Sequence, residues 1–334
     1  MSTTVPTEVD RTMIAPEEEE GPTLRVALRK LVEGELGPVR VLIVLALIWV
    51  IFTIANDRFL TAVNLTNLAL QTAAIGTISV GVVLVLLLGE IDLSVGAVSG
   101  VCAAVMAVLN VKHGWNPYLA MIAALVAGAL IGLFQGSVAT RLGIPSFVVT
   151  LALRVAAPAI AILAAVAVVN SDRGVPLSIL ILVGFCVLFT YVTTRTRWGR
   201  YVFAVGGNAE AARRAGINVT MIRTSVFILA STMAAAGGIL AAARLLAVNQ
   251  SSGGSDTLLL AIAGPVIAGV SLFGGRGSVW AALTGALVIQ SISNGMDLLA
   301  LQSSVKFMVT GGVLLAAVSL DAIAQQRRRA HGRL

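Results

Sequence analysis

RTRWGRYVFAVGGNAEAARRAGINVTMIR, residues 195–223, is the longest polar interruption between two long apolar blocks, 176–194 and 221–247. It carries six arginines: Arg195, Arg197, Arg200, Arg213, Arg214 and Arg223. Inside it Asn208 reads as a helix N-cap. Glu210 falls in the first turn, where the helix dipole favours an acid, and Arg213 and Arg214 follow further along. Gly216 is a natural stop, because glycine accepts the left-handed conformation that ends helices. Ala209, Ala211, Ala212 and Ala215 keep this helix slim. A slim, charged helix slung between two membrane spans is shaped to be held by something in the cytosol.

Composition supports the membrane setting. Of 334 residues, 57% are hydrophobic and 12% charged, against roughly 25% charged in soluble domains, and the mean hydropathy is +0.95. So much apolar surface belongs in a bilayer. The net charge of +7 does not point to nucleic acid, because the basic residues lie between apolar segments rather than in one patch. That is how membrane topology is written. Cys102 and Cys186 sit within apolar runs, which argues against a structural disulfide. The polar first 24 residues, with an acidic run at Glu17–Glu20, read as a disordered cytoplasmic tail rather than a cleavable signal.

Measured against the ~20 residues a span needs, ten spans emerge: 38–56, 66–88, 93–110, 117–140, 145–169, 176–194, 221–247, 256–273, 278–299 and 305–323. With the N-terminus inside, 17 of the 23 basic residues fall in cytoplasmic segments. The outer loops hold Arg58, Lys112, Arg173 and Lys306, Arg244 lies near a boundary, and Arg154 is left inside the fifth span. This asymmetry puts both termini and the 195–223 loop in the cytoplasm. The expectation is an all-α polytopic membrane protein. It would have a tail at 1–24, a membrane body at 25–324 and a basic tail at 325–334.

Small residues four apart, Gly96 with Gly100 and Ala234 with Gly238, predict close helix packing, and Gly311-Gly312 opens another slim patch. Two glycine-containing turns resemble each other: Gly89-Glu-Ile-Asp-Leu-Ser-Val-Gly96 after the second span and Gly274-Gly-Arg-Gly-Ser-Val-Trp280 after the eighth. Transporter folds often carry such internal duplication.

Polar groups within apolar territory are costly and mark candidate sites. Gln290, Asn294 and Asp297, spaced by four and three, share one face of the ninth span. Asn67 and Gln71 do the same in the second. Amides that donate and accept suit neutral polyhydroxyl ligands, and they equally suit helix–helix bonds. Glu90 and Asp92 stand at the inner mouth, where a gate or a proton-sensitive pair is one reading and Glu90 stays open to it. There Asp92, with Ser94 close by, reads as a cap of the third span. Arg154 needs a carboxylate, a carbonyl or a watery cavity, and Asp297 is a candidate partner. Pro265 is expected to kink the eighth span and free backbone groups.

Other chemistry is missing from the sequence. Lys30, Lys112 and Lys306 are not preceded by glycine, so there is no phosphate-cradling GxxxxGK[ST] loop. No His, Cys and carboxylate cluster has metal-ligand spacing, and no GxSxG elbow occurs. The driving energy must come from a partner, from an ion gradient, or from nowhere, as in a channel. A gradient-driven secondary transporter or channel is the alternative, with Asp92, Asp297 or Arg154 as its coupling charges.

Six runs, in order from residue 64 to 278, resemble the membrane permeases of ribose/xylose-type ATP-binding-cassette sugar importers. They are Asn64-Leu-Thr-Asn67…Gln71; Gly89-Glu-Ile-Asp-Leu-Ser-Val-Gly96; Phe147-Val-Val-Thr-Leu151; Thr196-Arg-Trp-Gly-Arg-Tyr201; Gly206-Gly-Asn-Ala-Glu-Ala-Ala-Arg213…Gly216-Ile-Asn218; and Ser271-Leu-Phe-Gly-Gly-Arg-Gly-Ser278. The resemblance implies a ten-span, type II importer-like permease, working as a homodimer or heterodimer in the inner membrane. It also implies two cytosolic ATPase subunits that hold ATP and Mg, and an extracytoplasmic sugar-binding protein. The permease itself would bind no cofactor. Glu210, Ala211, Ala212, Arg213 and Gly216 match the family's ATPase-coupling motif. Glu90 replaces a glycine common in ribose-type members and looks closer to the xylose branch. The Val166–Val175 region is short for the family, and Arg154 and Pro158 interrupt a segment that is usually more evenly apolar.

Overall fold

The computed structural model describes residues 37–143, 146, 149–150, 177–249 and 251–330. Most of the fifth span, with Arg154 and Pro158, and the 1–24 tail lie outside the described residues. Eleven α-helices and no strand occur among the described residues: α1 Gly37–Ala55, α2 Ala62–Leu87, α3 Val95–Ala107, α4 Pro117–Arg141, α5 Leu177–Arg195, α6 Arg197–Gly207, α7 Ala209–Arg214, α8 Val219–Leu245, α9 Ser255–Ile267, α10 Trp280–Leu298 and α11 Ser303–Ala330. A π-helical turn, Val108–Lys112, extends α3. Five of these segments are long and apolar enough to cross a membrane, and three shorter apolar helices accompany them. The described residues from Val41 onward form one compact unit.

The helices are sorted by side-chain size. On α4, Ala120, Ala124, Gly128, Gly132 and Gly136 are buried at a spacing of four, while Leu119, Ile122, Val126, Leu130, Leu133 and Phe134 are exposed. Bulk therefore faces outward and small residues face protein, as close van der Waals packing of helices in a bilayer favours. The small face lies against α8. A Cβ on Gly136 would come within 2.8 Å of Thr224 Cα, and one on Gly128 within 2.7 Å of Ala235 Cβ. Gly238 of α8 packs on the Ser99 backbone of α3, and Gly96 of α3 on the Gly253 carbonyl. Gly311 and Gly312 touch nothing among the described residues.

The centre is an antiparallel pair, α2 with α8, of 26 and 27 residues. Gly81 meets Ala230 and Gly237 meets Ala74, so the two run in opposite senses. The packing then repeats with the partners exchanged. After α2 an irregular stretch, 88–94, leads into α3, and after α8 another, 246–254, leads into α9; both short helices have 13 residues. Helix α3 lies on α8 and α9 on α2; α4 lies on α8 and α10 on α2; α3 pairs with α4 and α9 with α10. The N-terminal ends of α3 and α9 meet where Gly96 and Gly100 pack on Ser252–Gly254. This is an inverted structural repeat, though not the one that the similar turns suggest. Gly89–Gly96 and Gly274–Trp280 are not equivalent positions. They are neighbours, with a Cβ on Gly89 falling 2.9 Å from the Phe273 carbonyl oxygen.

Pro265 behaves differently from a mid-span kink. It lies in the last turn of α9, which ends at Ile267. The carbonyl that it cannot bond, that of Ala261 four residues earlier, accepts the Ser79 hydroxyl of α2 at 3.0 Å. The freed group is thus taken up by a neighbouring helix. The expected eighth span, 256–273, is correspondingly shorter, and 268–279 is irregular up to α10. Cys102 and Cys186 are buried free thiols.

Candidate functional site: the cytoplasmic arm, the inner break and the polar faces

The 195–223 stretch folds as two helices in a row. Thr196 caps α6 by accepting the Gly199 N–H at 3.1 Å. Gly199, Val202 and Val205 turn inward, and Trp198 Nε1 donates to Ser225 Oγ of α8 at 2.8 Å. Sequence reasoning found α7 and missed α6, whose signal was the inward-facing set of Gly199, Val202 and Val205 behind an N-capping threonine. Asn208 caps α7 by accepting the Ala211 N–H at 2.9 Å. The helix ends in a Schellman turn, with Ile217 N–H on the Ala212 carbonyl and Gly216 N–H on the Arg213 carbonyl, both at 3.0 Å. Gly216 has φ +83°, which glycine adopts without strain. Glu210 pairs with Arg213 at 2.9 Å and Arg214 at 3.2 Å. All three are more than half exposed, so these pairs contribute only about 0.3–0.5 kcal/mol each. Their effect is to fix a charged surface. Ala211 and Gly216 share that exposed surface, whereas Ala212 is buried against the bundle.

At the inner break, Glu90 Oε1 stands 2.8 Å from Arg223 Nε in the first two turns of α8. Asp92 is buried, and its Oδ1 accepts both the Ser94 N–H at 2.8 Å and the Ser94 hydroxyl at 2.6 Å. Ser94 is the residue at the N-cap position of α3 and makes no side-chain cap bond of its own; Asp92 acts two residues earlier, as an Asx turn that leads into the helix. Gln135 Nε2 of α4 donates to Ser94 Oγ, and Ser231 of α8 donates to Gln135 Oε1 at 3.2 Å. Four buried polar side chains thus join the break to α4 and to the middle of α8. The sequence signal for Gln135 was its place on the small-residue face of α4, the only polar residue among the buried glycines and alanines there. Among the described residues Asp92 Oδ2 is buried without a hydrogen-bond partner, as is Thr72 Oγ1 of α2.

The polar faces of α2 and α10 are unequal. Asn64 and Asn294 form a reciprocal amide pair, at 2.8 and 3.0 Å, and Asn64 also donates to the Phe59 carbonyl. Trp49 Nε1 of α1 donates to Ser291 Oγ of α10 at 3.0 Å. Asn294 is therefore committed to a helix–helix clasp. Gln290 is buried and makes no hydrogen bond among the described residues, Gln71 is half-buried and Asn67 exposed. Asp297 pairs with Lys306 at the start of α11, while Arg154, for which it was the candidate partner, lies outside the described residues. No cluster of metal-ligating residues occurs among the described residues.

The chain matches the family described as branched-chain amino acid transport system / permease component, over residues 64–177 and 158–318. The xylose transport system permease protein XylH of Escherichia coli K12 is 32% identical over 355 aligned positions, covering 84% of this chain and 90% of that protein. The fructose import permease protein FrcC of Rhizobium meliloti is 33% identical, covering 84% of each chain. The ribose import permease protein RbsC of E. coli K12 is 33% identical, covering 84% of this chain and 92% of that one. No solved structure matches significantly. An all-helical bundle with spans for a membrane, a capped arm between two of them, and relatives aligned along most of its length lead to one conclusion: the chain belongs to the family of transport-system permeases, multi-pass proteins of the cytoplasmic membrane.

Proposed function

We propose that this chain is the membrane-spanning subunit of an ATP-driven importer that moves a monosaccharide, a pentose or hexose of the xylose or ribose kind, by alternating access. The observation that carries this reading is the α6–α7 arm. It is anchored inward by Trp198, Val202, Val205 and Ala212, and it presents Glu210, Arg213 and Arg214 to solvent. A rigid charged knob between two spans suits docking to a cytosolic ATPase, which would hold ATP and Mg. The permease performs no chemistry. Its work is to offer sugar and ATPase different contacts in its two access states. An extracytoplasmic sugar-binding protein would deliver the cargo, a second copy of the chain would complete the membrane unit, and lipid would cover the bulky face of α4.

The amides of Gln71 and Gln290, uncommitted among the described residues, are the pathway groups best suited to sugar hydroxyls. Of the charges that a gradient-driven carrier would couple through, Asp297 is already paired with Lys306, which weighs against its serving so, while Asp92 accepts from Ser94 through one oxygen only. The reading is tested by purifying tagged protein from its native membrane in mild detergent, identifying partners by mass spectrometry, and assaying ATP turnover and uptake in proteoliposomes with D-xylose, D-ribose and D-fructose. A co-purifying ATPase stimulated by one sugar and its binding protein is the expected result. Uptake by the chain alone, without ATP, would overturn it in favour of a gradient-driven carrier.

A further inference from the structure

At the end of the bundle that carries the arm, three separate chain segments meet backbone to backbone. Gly206, in the last turn of α6, sits against the carbonyl of Leu87, the final residue of α2; a Cβ there would overlap the Leu87 oxygen. The same Leu87 oxygen accepts the Gly275 N–H at 2.9 Å. Gly274, between α9 and α10, closes the triangle: a Cβ on it would lie 2.6 Å from the Gly206 carbonyl oxygen and 2.7 Å from the Gly89 nitrogen. Beside this junction the Glu90–Arg223 pair ties the break after α2 to α8, just beyond the arm.

Side chains between packed elements have rotamers and can absorb a displacement, whereas backbone in direct contact has none to give. We propose that Gly206 is a positioning residue of the transport cycle. Its missing side chain seats the α6–α7 arm directly on the end of α2 and on the 274–275 turn, so that movement of the arm reaches both halves of the inverted repeat at once. This rests on the reading of the arm as the ATPase-docking element. Gly207, one residue on, provides the control, because a Cβ there meets nothing within 4 Å among the described residues.

The test uses the complex of the full chain with its co-purified ATPase, reconstituted in proteoliposomes. Asp256→Cys places an exposed thiol at the start of α9, and the native Cys102 and Cys186 are fully buried. The rate of labelling by a membrane-impermeant maleimide is read with and without ATP plus vanadate. The unsubstituted junction is expected to show an ATP-dependent change in rate, and G207A to preserve it. G206A is expected to keep the bound ATPase and its ATP turnover while the ATP-dependent change falls by on the order of tenfold. If G206A is not recovered as folded protein in the membrane, Glu90→Arg and Arg223→Glu take its place: each alone is expected to lose the ATP-dependent change, and the pair together to regain it. A G206A complex that responds as G207A does, or one that has lost its ATPase, overturns the proposal, as does a charge swap without rescue. Failure of the docking reading itself would appear elsewhere, as the absence of ATP-dependent labelling in the parent complex.

Discussion

Ser79 shows how a single hydroxyl keeps a proline tolerable inside a membrane bundle. Pro265 removes the donor that Ala261 would have used, and Ser79 supplies another from α2. Bonds of this kind in membrane proteins average about 0.6 kcal/mol, so S79A should destabilise by roughly that amount. In a P265A background the helix regains its own donor, and S79A should then be nearly silent. Thermal unfolding in detergent of the four variants measures the coupling directly. The Asn64–Asn294 clasp behaves in the opposite way, because each amide is the other's partner. N64A or N294A strands a buried amide at a cost of about 1–3 kcal/mol, and replacement of both by leucine should cost less than the sum of the single changes. Additive losses would mean that the two amides are not coupled.

At the scale of elements, the arm is where local sequence and local structure agree most closely. The cap, the acidic first turn and the stop glycine are all interactions between residues a few positions apart, and such short-range chemistry can be read before any fold is known. The break after α2 was legible only in part. Asp92 and Ser94 are neighbours in sequence, but Gln135 and Ser231 reach them from 41 residues and further along the chain, and nothing local announces that meeting. The same applies to Glu90, whose partner Arg223 had been counted as one more topological charge of the loop. G216P removes both the φ +83° conformation and the N–H given to Arg213, while E210K reverses the charge that orders two arginines. Each should abolish ATP-driven uptake, with membrane insertion and yield unchanged; normal uptake in both would remove the arm from the coupling pathway. On α4, G132L drives a side chain into the Phe227 backbone and should prevent recovery of folded protein. L130A, on the exposed face, should leave yield and melting temperature within the range of surface changes, about ±0.5 kcal/mol.

For the molecule as a whole, hydropathy set out most of the helices that the structure describes, and the resemblance anticipated the family to which the chain belongs. The repeat was misregistered because its halves are inverted, and inverted halves share geometry without sharing turn sequences. Similar turns turned out to mark contact rather than equivalence. The unequal partner helices, 25 residues in α4 against 19 in α10, show how far the halves have diverged.

The inverted repeat also means that the structure holds two descriptions of one unit. The start of α3, at Ser94 and Val95, is sealed, while its counterpart at the start of α9, Ser255 and Asp256, is exposed. An exchange of shape between the two halves would open the sealed end and close the open one, with the crossing of Gly96 and Gly253 as the fulcrum. A cysteine at position 94 should then gain reactivity toward a small thiol reagent in the nucleotide state in which one at 256 loses it. A fold of this kind holds both ends of the proposed stroke in one static shape, its two halves related by a rotation in the membrane plane.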